Sequence, residues 1–376
     1  MNDTVYLNQA GTSWPKPAPV LAAAAEALTA DPAQWADRFV AAQRNVASLF
    51  HISEPGDLLL TPGCTAALSI AVADHRWQTG DRVLTSGLEH HALHRPLVKL
   101  AEQGVSLEVI PRGENEPLAL EALEESLRDG GVRMVALTAA SNVTGELLPL
   151  DDVIHLAHRY GAMALVDAAQ LVGWQELDLP ALGADLTAFG GHKGLHGLWG
   201  VGGLYIAPHV EMNSPAATCG APENSSKPRC ASRPGYCDAG SVDRAALAAL
   251  AAAADWLRTE APSDRLGRAR ELAEQLEQGA TALPRLTTIV QTPLASRLPI
   301  FAFTVAGRSA GQVAAEMAAD GVHASGGLQC APLAHETLQT NPDGAIRLSV
   351  GVMNDAEDIE RALGVLRRVL GSPDVS

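Results

Sequence analysis

The sequence predicts an α/β protein in which a mostly parallel seven-stranded sheet lies between helices and a smaller α+β unit follows. Three observations carry this reading. From residue 57 to 207, short β-type runs alternate with helical patterns, the order that crossover helices impose on a parallel sheet. Several of the runs, MVALT and ALVDA among them, are apolar throughout, as strands buried on both faces are. Beyond residue 240 the order changes to helices first and strands afterwards.

The segment 1–16 is expected to pack near the functional site, 17–260 to form the large domain and 261–376 the small one. In chain order the seven β-type runs are DLLLT, RVLTS, VSLEVI, VRMVALT, AMALVDA, DLTAF and GVGGLYIA. Between them TAALSIAVADH, ALHRPLVKLAEQ, LALEALEESLRD and LDDVIHLAHRY carry apolar residues at helical spacing. Residues 209–240 turn to Pro, Ser, Asn and Gly and read as a long loop. The Ala-rich stretches AALAALAAAADWL and RLGRARELAEQLEQGATAL follow as helices, the alanines reflecting helix propensity rather than low complexity. The runs TTIVQT, IFAFTVA and AIRLSVG then supply strands, and DIERALGVLRRVL a terminal helix.

A chain of 376 residues suffices for one large and one smaller core. No apolar run approaches the roughly 20 residues of a membrane span, so no membrane role is expected. The start MNDTVYLNQAG lacks the basic and apolar regions of a secretory signal, which leads to a cytoplasmic expectation. With 27 Lys and Arg against 43 Asp and Glu, the net charge of −16 opposes nucleic acid binding and favours small molecules or proteins as partners. Five cysteines, Cys64, Cys219, Cys230, Cys237 and Cys330, lack the paired spacing of a disulfide framework.

The stretch FGGHKGLHG places Lys193 among glycines just past an apolar strand, where open α/β sheets put ligands. It is either a solvated loop lysine or a Schiff-base former. Asp167 ends the strand AMALV, where a buried carboxylate needs a cation; it either caps a helix or faces a pyridinium nitrogen, as the acidic residue of pyridoxal phosphate enzymes does. In LLLTPGCTAAL, Gly63, Cys64 and Thr65 open a helix and offer an anion site, although a plain βα turn looks the same. His90 follows a strand and suits ring stacking and proton shuttling near neutrality. His91 and His94 lack a matching third ligand, so no metal is expected. Asn142 ends another strand as a hydrogen-bonding group or a turn residue.

Together YLNQAGTSWPKP, TPGCTAAL, LEHHALHRPL, SNVTGELLP, VDAAQ, GGHKGLHGLWGVGGLYI, DAGS, GLQCAPLAH and AIRLSVG resemble, in order and spacing, the class V aminotransferase family of fold-type I pyridoxal phosphate enzymes. The likeness is to its cysteine desulfurase and selenocysteine lyase branch and covers nearly the whole chain. The resemblance implies pyridoxal 5'-phosphate bound to Lys193, with Asp167 at the ring nitrogen, His90 stacked on the ring, and Gln170 and Asn142 at the ring hydroxyl. It places the phosphate on Cys64, Thr65 and His192, with Ser241 arriving from the second subunit of a homodimer. Arg347 would bind the substrate carboxylate, Asn142 would help to hold the substrate, and Cys330 would be the nucleophile. The implied reaction turns L-cysteine into L-alanine and a Cys330 persulfide, a possible acceptor protein taking the sulfur. Selenocysteine lyase, C–S lyase, epimerase and aminotransferase chemistry are the alternatives.

The chain departs from the branch at several positions. Ser325 and Gln329 stand where many desulfurases carry arginine and histidine, and Gly190 and Ser241 replace a phosphate-binding serine and threonine. Asn8 and Gln9 stand where the family usually has Asp and Asn. The loop thiols Cys219, Cys230 and Cys237 have no zinc spacing and read as incidental.

Overall fold

The computed structural model describes residues 4–212, 243–289 and 292–371. A two-residue strand, β1 (Val5–Tyr6), begins the described chain. The strands β2 (Leu58–Thr61), β3 (Arg82–Ser86), β4 (Ser106–Ile110), β5 (Val132–Thr138), β6 (Met163–Asp167), β7 (Leu186–Gly190) and β8 (Gly202–Ile206) form one sheet in the order β2-β8-β7-β6-β5-β3-β4. Only β8 runs against its neighbours. The reason is its connection: β7 reaches β8 through a short glycine-rich turn without a crossover helix, and a link that short can only reverse direction. Lys193 sits in that turn.

The strands around the β7–β8 turn are apolar because they are enclosed. Every residue of β2, β7 and β8 is buried, and helices including Cys64–Ala73, His91–Ala101 and Leu150–Arg159 pack on the sheet. Register sets the ends level. Thr138 pairs with Asp167 and Asp167 with Ala188, so the carboxyl ends of β5, β6 and β7 open on one rim, where α/β sheets bind ligands.

The second unit is built on an antiparallel sheet of β9 (Leu286–Thr288), β10 (Ile300–Val305), β12 (Ser325–Gly327) and β13 (Ala345–Ser349), ordered β12-β13-β10-β9. The helices Pro262–Thr281 and Ala356–Gly371 pack against each other, and Ala310–Ala319 packs on β12. β11 (Val322–His323) pairs in parallel with β1 at the other end of the sequence. The Ser349 N–H donates to Leu7 O at 2.7 Å, which threads the N-terminal segment along β13. Among the described residues no helix is long and apolar enough to cross a membrane.

Candidate active site

A cavity of about 690 Å³ lies over the strand rim. Cys64, Thr65, His90, Asn142 and Asp167 line it, as do Gln170, His192, Lys193, Cys330 and Arg347. Ten candidates scattered from residue 64 to 347 thus share one space. Ser241 and the loop thiols Cys219, Cys230 and Cys237 lie outside the described residues.

Asp167 is 3 % exposed. Its Oδ1 accepts from the Ala169 N–H at 2.9 Å and from the Cys64 thiol at 3.4 Å. Burial pushes its pKa up, while those hydrogen bonds and the charge of Lys193 hold it down. Lys193 mirrors this, with burial lowering its pKa and Asp167 raising it. Each group therefore keeps its charge only as long as the other, or an equivalent ion, is near. The Cys64 thiol, beside the carboxylate and buried, is pushed well up and is a hydrogen-bond donor rather than a nucleophile.

Glycines set the position of Lys193. A Cβ on Gly194 would stand 2.2 Å from Val172 O, and one on Gly173, whose φ is +85°, 2.1 Å from Gly194 O. Two stretches of main chain therefore touch where only glycine fits. The turn closes through Gly197 N–H to Gly191 O at 2.8 Å and His196 N–H to Lys193 O at 2.9 Å. From the other side, His192 O accepts from Ser13 N–H, the Thr12 hydroxyl and Lys16 Nζ, each at 3.0 Å, and from the Ser13 hydroxyl at 3.1 Å. The N-terminal segment thereby clamps the carbonyl next to the lysine.

An anion cup lies beside it. The helix Cys64–Ala73 begins after Gly63 with no side-chain cap, so its first amides and the positive end of its dipole are free for a phosphate. His192 Nδ1 is buried with no partner. Its ring stacks on Trp199, with centroids 5.9 Å apart, and burial lowers its pKa to about 4, so the neutral ring can offer an N–H. These residues fit pyridoxal phosphate: a cup for the phosphate, an amine for the aldehyde and a buried carboxylate that needs a cation.

His90, expected to stack on the ring and to shuttle protons, also caps a helix. It is the N-cap of His91–Ala101, its Nδ1 accepting the Ala92 N–H at 3.0 Å, which leaves the ring proton on Nε2. Burial, reinforced by Lys193, lowers its pKa to about 4. The ring is therefore neutral near pH 7, suited to stacking and to a single hydrogen bond. Asn142 and Gln170 line the cavity. Asn142 Nδ2 donates to Gln329 O at 2.8 Å and Gln170 Nε2 to Ala10 O at 3.0 Å, so both brace main chain as well as facing the cavity.

The opposite wall comes from distant parts of the chain. Arg347, in β13, is 3 % exposed; its Nη1 donates to Asn142 O at 2.6 Å and its Nη2 to Asn8 Oδ1 at 2.7 Å. Ser325 is its cross-strand neighbour in β12. Cys330 is exposed. It and Gln329 hold φ values of +56° and +43°, successive left-handed residues that are uncommon outside glycine. Cys330 O accepts from the His91 N–H at 2.8 Å. The Gln329 side chain turns away, Nε2 donating to Ala345 O at 2.8 Å and Oε1 lying 2.9 Å from His335 Nε2, so this departure serves the loop's own structure.

Sequence reading named Asn8 as a departure but missed its contact with Arg347, and it missed the clamp of Thr12, Ser13 and Lys16 and Glu89. Asn8 contacts a residue 339 positions away, a pairing that no local pattern announces. Glu89 lay in plain view beside His90, yet nothing in its spacing separates it from a surface residue. It is fully buried, and burial raises its pKa to about 8.

This fold and this site define a pyridoxal phosphate enzyme of fold type I. The chain belongs to the class V aminotransferase family, whose model, Aminotransferase class-V, matches residues 5–362. Among curated proteins it is similar to a probable cysteine desulfurase of Pseudomonas aeruginosa, 32 % identical over 343 residues covering 88 % of this chain and 82 % of the relative. Among solved structures it is similar to the apo cysteine desulfurase of Thermococcus onnurineus NA1, with TM-score 0.90, 25 % identity, and coverage of 98 % of this chain and 95 % of that one. The cysteine desulfurase CsdA of Escherichia coli shares the fold at TM-score 0.87, 24 % identity and coverage of 98 % and 95 %.

Proposed function

We propose that the protein is a cysteine desulfurase that releases L-alanine from L-cysteine and takes the sulfur onto Cys330. The observation that carries this is an exposed thiol on the cavity that also holds Lys193, Asp167 and a buried arginine. Bound pyridoxal phosphate supplies an electron sink for charge at the substrate Cα. Lys193 would hold the cofactor aldehyde and, once released, move the Cα proton, a task helped by its lowered pKa. Asp167 would keep the ring nitrogen protonated. Cys64, Thr65 and His192 would hold the phosphate, His90 would stack on the ring, and Asn142 and Gln170 would lie at its hydroxyl edge.

Arg347 would grip the substrate carboxylate, with Asn142 beside it. The Cys330 thiolate would then attack the substrate sulfur: an S–S bond forms, the Cβ–S bond breaks, its electron pair passes to Cβ, and a proton completes alanine. The persulfide left on Cys330 requires an acceptor, a second protein or a thiol. A homodimer with Ser241 of the second subunit completing the phosphate cup belongs to the same reading.

The test is to incubate the protein with L-cysteine and to measure alanine, pyruvate and sulfide together. The proposal expects alanine in step with sulfur, and Cys330→Ala without alanine formation. Pyruvate as the main product, or a Cys330→Ala variant that keeps its rate on cysteine, would overturn it in favour of C–S lyase chemistry.

A further inference from the structure

We propose that Gln329 and His335 are positioning residues for the Cys330 nucleophile: a one-way chain of hydrogen bonds holds the thiol in its left-handed turn at a fixed offset from Arg347. The proposal rests on the functional reading above for the reaction of Cys330, and only for that.

The turn does not hold itself. Gln329 and Cys330 both have positive φ, a conformation that crowds any residue with a Cβ and persists only where the surroundings fix it. Main chain supplies part of the hold. Ala331 N–H donates to Leu328 O and His91 N–H to Cys330 O, each at 2.8 Å. A Cβ on Gly344 would stand 2.0 Å from Gly327 O, so the chain entering β13 presses on the start of the turn. The rest comes from the side chain of Gln329.

The direction of each bond is fixed. A carbonyl only accepts, so the Gln329 atom 2.8 Å from Ala345 O is the amide nitrogen. The amide oxygen therefore faces His335 Nε2 at 2.9 Å, and that nitrogen carries the ring proton. Nδ1 is then bare and accepts from the Thr340 hydroxyl at 2.6 Å. His335 is fully buried, and burial lowers its pKa to about 4. The ring is neutral near pH 7 and keeps this tautomer.

The chain ends beside Arg347. Ala345 opens β13, the strand that carries the arginine. Asn142 closes a circuit, its Nδ2 donating to Gln329 O at 2.8 Å and its O accepting from Arg347 Nη1 at 2.6 Å. The nucleophile is thus tied to the arginine twice, through β13 and through Asn142. A substrate gripped by its carboxylate presents its sulfur at one distance, and an attacking atom misplaced by about 1 Å loses on the order of 10²-fold in rate.

The experiment compares the holoenzyme with its Gln329→Gly, His335→Leu and His335→Gln variants. Three quantities are measured: kcat and KM for alanine formation from L-cysteine, exchange of the Cα proton of L-alanine in D₂O, and amide hydrogen exchange of residues 328–331 by mass spectrometry. Glycine adopts positive φ without crowding, so Gln329→Gly leaves the backbone of the turn permitted and removes only the tether. In Gln329→Gly and His335→Leu, kcat should fall by about tenfold to a hundredfold. KM and Cα exchange should stay within about threefold, because Arg347 and Lys193 keep their other supports. His335→Gln, whose amide replaces the Nε2–H donor, should return kcat to within about threefold of the parent. Lost stability alone would lower kcat and Cα exchange together.

A kcat within about twofold of the parent in Gln329→Gly would overturn the proposal, as would a loss in His335→Gln equal to that in His335→Leu. Should His335→Leu not fold, Gln329→Gly decides alone. If the parent proves not to desulfurate cysteine, amide exchange still gives the answer. His335→Leu changes no residue of the 328–331 segment, whose exchange should quicken by about tenfold; an unchanged rate would overturn the proposal, so failure of the functional reading stays separate.

Discussion

The two walls of the cavity are built by opposite means. The ring wall consists of strand ends and helix starts that are close in sequence to their supports: Asp167 and Thr138 are level in adjacent strands, and Lys193 follows β7 directly. The substrate wall is assembled from the N-terminal segment, the turn at Asn142, β12, β13 and a left-handed turn at Gln329 and Cys330. The titrating groups of the first wall are displaced toward their neutral forms. The second presents an exposed thiol next to an arginine held by neutral partners. Under the proposed function, acid–base chemistry at Cα would use the first environment and a group that hands sulfur onward the second.

The sharpest way to separate the walls is to remove one reactive group from each. Lys193→Ala should lower alanine formation by about a thousandfold or more and also abolish exchange of the substrate Cα proton with solvent. Cys330→Ala should lose alanine formation as completely yet keep Cα exchange, because the ring wall is intact. Deuterium uptake at Cα of L-cysteine or L-alanine in D₂O, followed by NMR, reads the difference. Loss of exchange in Cys330→Ala would mean that the walls do not act separately.

Next in size is Asp167→Asn, which keeps the shape of the ring wall and removes its charge. A fall in kcat of roughly 10²-fold to 10⁴-fold is expected, with KM for L-cysteine changed by only a few-fold because the substrate wall is untouched. Stopped-flow and steady-state kinetics on the holo-variant check this. A large rise in KM would mean that Asp167 also positions the substrate.

The contrast between the walls also sets what could be read from the sequence. Asp167, Lys193 and the Cys64 helix start were legible because a strand followed by a special residue is a local signal, and the fold follows from the same alternation of strands and helices. The antiparallel direction of β8 was implicit in the shortness of its connection. Arg347 and the departure at Asn8 were both reached through resemblance, but their contact was not, because the pair exists only once β1 joins β11 and the chain runs on beside β13. Gln329 was legible only as a departure from the family pattern; that its side chain bonds His335 and Ala345 was not. The close approach of Gly173 and Gly194 was equally hidden, since a glycine in a sequence does not reveal what it lies against. Gly194→Ala should cost about 1–3 kcal/mol as overpacking against rigid main chain, read as a lower midpoint of urea unfolding; an unchanged midpoint would mean that the two segments part easily.

The smallest effect concerns the carboxyl hidden behind the ring wall. Glu89 Oε1 accepts from the Ser86 hydroxyl at 2.5 Å and from Thr138 N–H at 3.1 Å, while Oε2 is buried and unpaired. Burial first, then the nearby charge of Asp167, raises its pKa from 4.5 to about 8. Two carboxyls in one buried region do not both ionise readily, so Glu89 remains neutral near pH 7 and leaves the charge to Asp167, which in the proposed function would face the ring nitrogen. For an acid whose pKa is raised on folding, the native state holds the proton more tightly than the unfolded chain. Stability is then greatest below about pH 4.5, falls as pH climbs toward about 8, and is level above that. Glutamine imitates the neutral acid at Oε1 and cannot ionise. The melting temperature of Glu89→Gln relative to the parent should therefore rise steadily between pH 5 and pH 8, by a few degrees in all, whatever fixed offset the extra amide hydrogen introduces. A difference that stays constant across that range would show that Glu89 is ionised in the native protein and that the ring wall holds two negative charges.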